Sequence, residues 1–332
     1  MPMPDRLRIA TFNLESLDLP ENGANTADLA ERIAVLRPQL ERLRADVICL
    51  QEVNGQKPEK GKRRELDALD RLLQDTPYGE FHRIHTRSHH TGGARDRHNL
   101  VLLSRFPFQV HRQIRHDLVQ APRYHSPSGG GTEDSIEWDR AILQAELDLS
   151  HGRRLHVLNV HLRAPRAAYV PGGKSHPPVW DSMSGWAEGM FLAAVKRAGQ
   201  ALEARLLIDQ IQDQDPDARI VVCGDYNADL YQTPVRTIRG DEEDAGNPHL
   251  VGRTLVPLER SLPQSQRYSV VHHGRPQMLD HVLVSRSLLA WYRSSEIHNE
   301  ALGDELVGAH AVPGGPESYH APVVAEFEIP DA

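Results

Sequence analysis

The segment Ile220-Val221-Val222-Cys223-Gly224-Asp225-Tyr226-Asn227-Ala228-Asp229-Leu230 decides how this chain is read. It begins as a short apolar run rich in β-branched side chains, the pattern of a strand buried on both faces. Gly224 is expected to stop the run and let the backbone turn, because glycine accepts dihedrals at which a Cβ would clash. A carboxylate, Asp225, and an amide, Asn227, follow directly. Polar groups at the mouth of a buried strand suit a metal ion, a water to be activated or an anion to be held. A plain Asp/Asn turn cap is the simpler reading.

Working outward, other strand-like runs end in the same way. Leu7 to Phe12 leads into Asn13 and Glu15, Val47 to Leu50 into Gln51-Glu52, and Leu155 to Val160 into His161. Asp280-His281 opens the run Val282-Leu283-Val284, and Ser318-Tyr319-His320 precedes Ala321-Pro322-Val323-Val324. One polar strand end is a cap; a series of them points to one site at one sheet edge.

The motifs TFNLE (11–15), LQEV (50–53), NVHLRAP (159–165), GDYNADL (224–230), LDHVLVS (279–285) and SYHAPV (318–323) resemble, in order, those of the endonuclease/exonuclease/phosphatase superfamily related to DNase I. The resemblance spans nearly the whole chain. It implies an α/β fold, a four-layer sandwich of two facing, mostly antiparallel sheets flanked by helices, with the site at one edge. It also implies metal-dependent phosphoester chemistry. Because the motifs run from residue 11 to residue 320 and must converge, a single domain over 1–332 is expected.

Phosphodiesters repel nucleophiles, so hydrolysis needs a cation on the phosphate, an activated water and help for the leaving oxygen. The oxygen-rich set Glu52, Asp225, Asn13 and Asn227 suits Mg²⁺ or Mn²⁺. Zinc fits less well, since neither cysteine stands in a ligand spacing. By the resemblance, Glu52 is the principal metal carboxylate, with Asn13 beside it and Glu15 where some relatives carry a second acid. Asp225 would orient or deprotonate the attacking water, and Asn227 would hold a phosphate oxygen. His320, steered by Asp280, would meet the phosphate charge, and His161 would assist proton transfer. Arg140 matches a family arginine and would contact phosphate. One departure stands out: the family's terminal Ser-Asp-His is here Ser318-Tyr319-His320, and a neutral phenol is a poor ligand for Mg²⁺. Asp304, Glu305 and Glu317 lie nearby in sequence.

Composition narrows the class. The 332 residues carry a formal charge of −8 and a pI near 6.2, with 25% charged and 39% apolar residues. That is an ordinary globular balance without the basic excess of avid nucleic-acid binders. Two basic clusters, Lys57 to Arg64 and Arg83 to Arg97, read one by one as solvated charge runs. Cys49 and Cys223 read as small buried core residues. No apolar run is long enough to span a membrane, and no signal region precedes the first strand, so a cytoplasmic protein is expected.

The remaining elements follow from periodicity. A helix is expected from Ala27 to Arg44, capped by Asn25 or Thr26 and kinked or interrupted at Pro38. Others are expected over Glu65–Leu73 and Glu188–Gln212. Strands are expected over Phe81–Ile84, Asn99–Leu103, Phe108–Ile114 and Ile136–Leu147. His85, His89, His90 and His98 read as exposed loop histidines, and Ser126 to Gly131 as a flexible stretch. A long Pro/Gly-rich segment with aromatics, 163–186, reads as a substrate-side flap. The leading function is a phosphodiesterase with nucleic acid as its main substrate class. A small-molecule or lipid-headgroup phosphoesterase, or a binding protein that has lost turnover, are the alternatives; no protein partner is indicated.

Overall fold

Strands whose side chains are apolar on both sides must be covered on both faces, and this requirement sets the layers. The computed structural model describes residues 5–19, 28–57, 63–127, 133–149, 152–176, 179–305 and 315–330. In chain order its strands are β1 (Asp5–Leu17), β2 (Val47–Val53), β3 (His82–His85), β4 (Asn99–Ser104), β5 (Phe108–Ile114), β6 (Arg123–His125), β7 (Glu133–Ser135) and β8 (Ile142–Leu149). They continue as β9 (Arg153–His161), β10 (Ile220–Asp225), β11 (Val256–Pro257), β12 (Val270–His272), β13 (Arg275–Gln277), β14 (Asp280–Val284), β15 (Tyr292–Ile297) and β16 (Val323–Ile329). The main helices are α1 (Leu29–Leu43), α2 (Asp67–Leu73), α3 (Met183–Gln214) and α4 (Thr233–Arg239).

Two six-stranded mixed sheets result, ordered β15-β16-β1-β2-β4-β3 and β11-β14-β10-β9-β8-β5. In each, one central pair is parallel, β1 with β2 and β9 with β10, and the other pairs are antiparallel. Val221 and Cys223 of β10 enter the core between the sheets, whereas Ile220 and Val222 pack toward α3 and α4. Leu7 and Ile9 of β1 likewise face the shared core, with Ala10 and Phe12 turned to α1 and α2. The layers are therefore helices, sheet, sheet, helices, as expected. Cys49 and Cys223 are free thiols in the central core. Among the described residues no helix is long and apolar enough to cross a membrane.

Three local expectations are corrected. α1 is not interrupted at Pro38. A helix-interior proline costs roughly 3 kcal/mol. Buried Leu29, Leu36, Leu40 and Leu43 each contribute about 1.5–3 kcal/mol on burial, which outweighs it. β8 begins at Ile142, not at residue 136. Ahead of it, buried Trp138 is held by side chains instead of a ladder: its backbone N–H donates to His116 Nε2 and its indole N–H to Glu203 Oε2, each at 3.0 Å. The third concerns the flap, which ends at Ser182. Ser182 Oγ accepts the Gly185 N–H at 3.0 Å and starts α3, so Met183 and Trp186 are helical. The Asn25/Thr26 cap, Lys60, Lys62 and the Ser128–Gly131 stretch lie outside the described residues.

Gly224 also differs from expectation, because it does not end its strand. It lies within β10, opposite Val160 of β9 and His281 of β14, at φ +146°. A Cβ there would stand 1.9 Å from the Val160 carbonyl oxygen. Gly224→Ala is therefore expected to destabilise by at least the roughly 1–3 kcal/mol of an overpacked core, read from urea unfolding. An unchanged midpoint would contradict the close approach.

Candidate active site

The strand directions bring the polar ends together. The parallel strands finish at one edge: β1 passes through Asn13, β2 carries Glu52, β9 ends at His161 and β10 at Asp225. Antiparallel neighbours begin at that same edge. Asp280 opens β14, His320 lies just ahead of β16, Arg140 just ahead of β8 and His98 just ahead of β4. The two sheets meet where Asn13 Nδ2 donates to Asp225 Oδ2 at 3.0 Å and approaches Glu52 Oε1 at 3.4 Å. His161 Nε2 stands 3.3 Å from Asp225 Oδ2 and 3.6 Å from Glu52 Oε1.

Several of these residues sit in backbone conformations that L-amino acids avoid. Glu52 has φ 57°, Asn227 48°, Glu15 49° and Ser16 54°. Such positions cost of order 1–3 kcal/mol each and need surrounding support. Support is present. The ladder shifts register between Asn13 and Leu17 in β1 and between Leu50 and Val53 in β2, which re-aims the side chains. Arg32 of α1 donates to the carbonyls of Leu14, Glu15 and Ser16 at 2.7, 3.0 and 3.3 Å. Arg197 of α3 donates to the Asn227 carbonyl at 3.0 Å. Ser16 N and Oγ both donate to Glu52 Oε2, at 3.0 and 3.1 Å.

Asp225 accepts the Asn227 backbone N–H at 2.7 Å and its side-chain amide at 3.0 Å. Burial and the facing Asp280 carboxylate push the Asp225 pKa up to about 7. The two aspartates are direct cross-strand neighbours, so their charges oppose each other at short range. Asp280 Oδ2 holds His320 Nδ1 at 2.8 Å. Burial disfavours the imidazolium, but Asp280, then Asp225 and Glu52, outweigh it and lift His320 to about 10. Glu52 is also buried, yet His98, His161 and His320 draw its carboxyl well below the ordinary range. Burial and nearby Arg140 keep His161 well below its usual value, hence neutral.

Glu15 lies next to Asn13, its N–H donating to Asn13 Oδ1 at 2.9 Å and its Oε2 accepting the Tyr319 backbone N–H at 2.7 Å. The Tyr319 ring lies beside Gly303 and Gly315. Arg140 donates to the Leu162 carbonyl at 3.4 Å, and its buried Nε has no hydrogen-bond partner among the described residues. All nine predicted residues thus lie on this edge of the sandwich or within one contact of it.

The sequence reading missed His98, taken for an exposed loop histidine. It is half-buried, its Nδ1 is 3.5 Å from Glu52 Oε2, and its ring meets His161 edge-on at 6.1 Å. No feature of the loop marked it: only the antiparallel pairing, in which Asn99 of β4 faces Val53 of β2, carries residue 98 to Glu52. Arg32, Arg197 and the buried pair His281–Glu259 had no sequence signal.

A model described as the Endonuclease/Exonuclease/phosphatase family matches residues 10–304. The chain belongs to this family. The match ends before Ser318-Tyr319-His320, the segment that departs from the family's usual terminal motif. Truncated TDP2 from Caenorhabditis elegans superposes with a TM-score of 0.56 at 15% identity, covering 98% of each chain. An endonuclease/exonuclease/phosphatase from Bacteroides vulgatus gives 0.57 at 16% identity, over 98% of this chain and 100% of that one. An AP endonuclease from Archaeoglobus fulgidus gives 0.54 at 14%, over 97% and 100%. At these identities the likeness shows the family's fold alone. None of the curated proteins matches the chain.

Proposed function

We propose that the protein is a divalent-metal-dependent phosphodiesterase acting on nucleic acid, and that residues 1–332 work as one unit around a single site. The observation that carries this reading is the meeting of Glu52, His161 and Asp225, and of Asp225, Asp280 and His320. In each group the potential ligand atoms lie within 4.8 Å of one another. Family membership supports phosphoester hydrolysis, and an AP endonuclease shares the fold.

The donor set fits a hard cation. Glu52 is an ionised carboxylate in a buried setting, and Asp280 Oδ1 is buried with no hydrogen-bond partner among the described residues. Glu52 and Asn13 would hold Mg²⁺ or Mn²⁺, with Glu15 beside them. When bound, the ion would polarise the phosphoryl oxygens and neutralise developing charge.

The protein groups supply the remaining work. A base poised near neutrality is best matched to operating pH, and Asp225, at about 7, meets that condition for taking a proton from water. Both amide hydrogens of Asn227 are engaged, one by Asp225 Oδ2 and one by the Leu162 carbonyl. Asn227 therefore orients Asp225 and would hand one hydrogen to a phosphate oxygen. His320, charged and fixed by Asp280, faces the negative charge of the phosphate. Neutral His161, between Asp225 and Glu52, is placed to relay a proton, and Arg140 adds positive charge to the same space.

Activity on an aryl phosphodiester is expected to vanish after chelation and to return with Mg²⁺ or Mn²⁺. Full activity in protein verified free of metal would defeat the mechanism. A panel of single- and double-stranded DNA, RNA, an aryl phosphomonoester and a sphingolipid separates the nuclease from the small-molecule or lipid reading.

A further inference from the structure

The two basic clusters that read as separate solvated runs are joined in the structure. Gln56 and Glu65 exchange backbone hydrogen bonds at 2.8 and 3.0 Å, Ala94 N donates to Arg64 O at 3.0 Å, and Gly55 N donates to Asp96 O at 3.0 Å. Gly93 lies so close that a Cβ there would be 2.8 Å from the Arg63 Cβ. The segments around Arg63 and Arg95 are thus packed into one wall.

That wall encloses a cleft of two lobes that share Arg95, Asp96 and Arg115. The inner lobe, about 570 Å³, contains His98 and Arg140 and therefore opens from the site. Six Lys or Arg side chains and three carboxylates line it. Among the described residues, the outer lobe, about 630 Å³, is lined by six Lys or Arg side chains against the single carboxylate Asp96. This charge stands on a chain whose net formal charge is −8.

The cations divide by what already neutralises them. In the inner lobe Arg163 and Lys196 both pair with Asp139, and Arg115 pairs with Glu137. In the outer lobe Arg64 pairs with Asp96 at 2.8 Å. Arg63 and Arg87 form no ion pair among the described residues. Arg95 lies between the lobes, and burial followed by repulsion from Arg115 lowers its pKa. Like charges gathered in a walled cleft repel one another, and a bound anion relieves that repulsion. Among the described residues, no aromatic ring other than those of His89 and His90 lines the outer lobe, so it offers charge and not a stacking platform.

We infer that the outer lobe is a second phosphate subsite: Arg63 and Arg87, with Arg95 at the junction, hold a substrate phosphate other than the one cleaved. This rests on the phosphodiesterase reading of the adjoining site and narrows it to substrates with at least one further phosphate. That phosphate belongs either to the continuing strand of an oligonucleotide or to the terminal phosphate of a smaller molecule.

The test combines binding and turnover with the full chain. On a Glu52→Gln background, a labelled single-stranded oligonucleotide is titrated against salt, with and without the double substitution Arg63→Ala/Arg87→Ala. The lost phosphate contact removes about 0.7 from the slope of log K against log salt, and a decrease of that size is expected. In the catalytically intact chain, the same pair should lower kcat/KM on the oligonucleotide while an aryl phosphodiester, which has no second phosphate, is turned over at the parental rate. That parental rate also shows that the variant is folded. A loss with a terminally phosphorylated dinucleotide but not with longer strands would assign the subsite to the smaller source, and the reverse to the strand. An unchanged salt slope together with parental kcat/KM on both the oligonucleotide and the terminally phosphorylated dinucleotide, or an equal loss on the aryl diester, overturns the inference. Absence of all diester hydrolysis in the parent would instead overturn the phosphodiesterase reading, while the salt slope still reports on the subsite.

Discussion

Glu52→Gln and Asp225→Asn are each expected to lower kcat by roughly 10²–10⁴-fold, the range for loss of a positioned acid or base. Both replacements keep side-chain volume and alter only charge and hydrogen bonding. At Glu52, neutralisation removes the anion around which His98, His161 and Ser16 are arranged. At Asp225, donors approach both oxygens, from Asn13 and from the backbone and side chain of Asn227. An asparagine offers only one oxygen to them. Stability should move differently from activity. Asp225 has a raised folded pKa, so the native state binds more protons than the unfolded chain between about pH 4 and pH 7, and stability falls across that window. Asp225→Asn lacks this loss. In metal-free buffer it should gain on the parent as pH rises to about 7, as expected where function is held against stability. Parental turnover in either variant, with folding verified by urea denaturation, would place the chemistry elsewhere.

The second large effect is on folding. His281 and Glu259 are fully buried, with Nδ1 2.6 Å from Glu259 Oε1 and Nε2 donating to the Ala228 carbonyl at 2.8 Å. His281→Leu would leave a buried carboxylate and a buried carbonyl without their partner. Removing one member of such a pair typically costs about 3–5 kcal/mol. A comparable loss is expected from urea unfolding, with partial recovery in His281→Leu/Glu259→Leu, where no charge is stranded. Burial opposes the imidazolium, but Glu259 prevails and raises the His281 pKa. The stabilisation is therefore complete below the unfolded value of about 6.5 and is lost as pH rises through the raised one. Ala228 adjoins Asn227, so kcat should fall together with stability. A substitution without effect on unfolding would show that the pair adds nothing to the fold.

Much of the architecture was legible because its causes are local. Runs such as Val47–Leu50 and Ile220–Cys223 show their burial in the residues themselves, and the expected strand boundaries at Phe108–Ile114 agree with the structure. The placement of Asn13, Glu52, His161, Asp225, Asp280 and His320 was legible for a related reason. A carboxylate, amide or imidazole at the end of an apolar strand is costly unless a site uses it, and the motif order resembled a known family. Helix α1 ran past Pro38 because burial of distant leucine contacts exceeded a local penalty.

The rest depended on pairing between segments far apart in the chain. His98 reaches Glu52 only because β4 runs antiparallel to β2, which no feature of residues 85–98 reveals. Gly224 is required by the Val160 carbonyl of a neighbouring strand, not by a turn in its own. Arg32 and Arg197 look like ordinary helix-surface arginines until their helices pack and aim them at the carbonyls of strained Glu15 and Asn227. The cationic cleft arises when backbone bonds from Gln56 to Glu65 and from Ala94 to Arg64 bring two basic runs together. The amino-acid sequence by itself determined which strands are buried and which polar groups stand at their ends, since side-chain alternation acts over neighbouring residues. Tertiary structure decided which of those groups touch, what charge they bear and where a polyanion could lie, since electrostatics and close packing act through space between residues the chain keeps far apart.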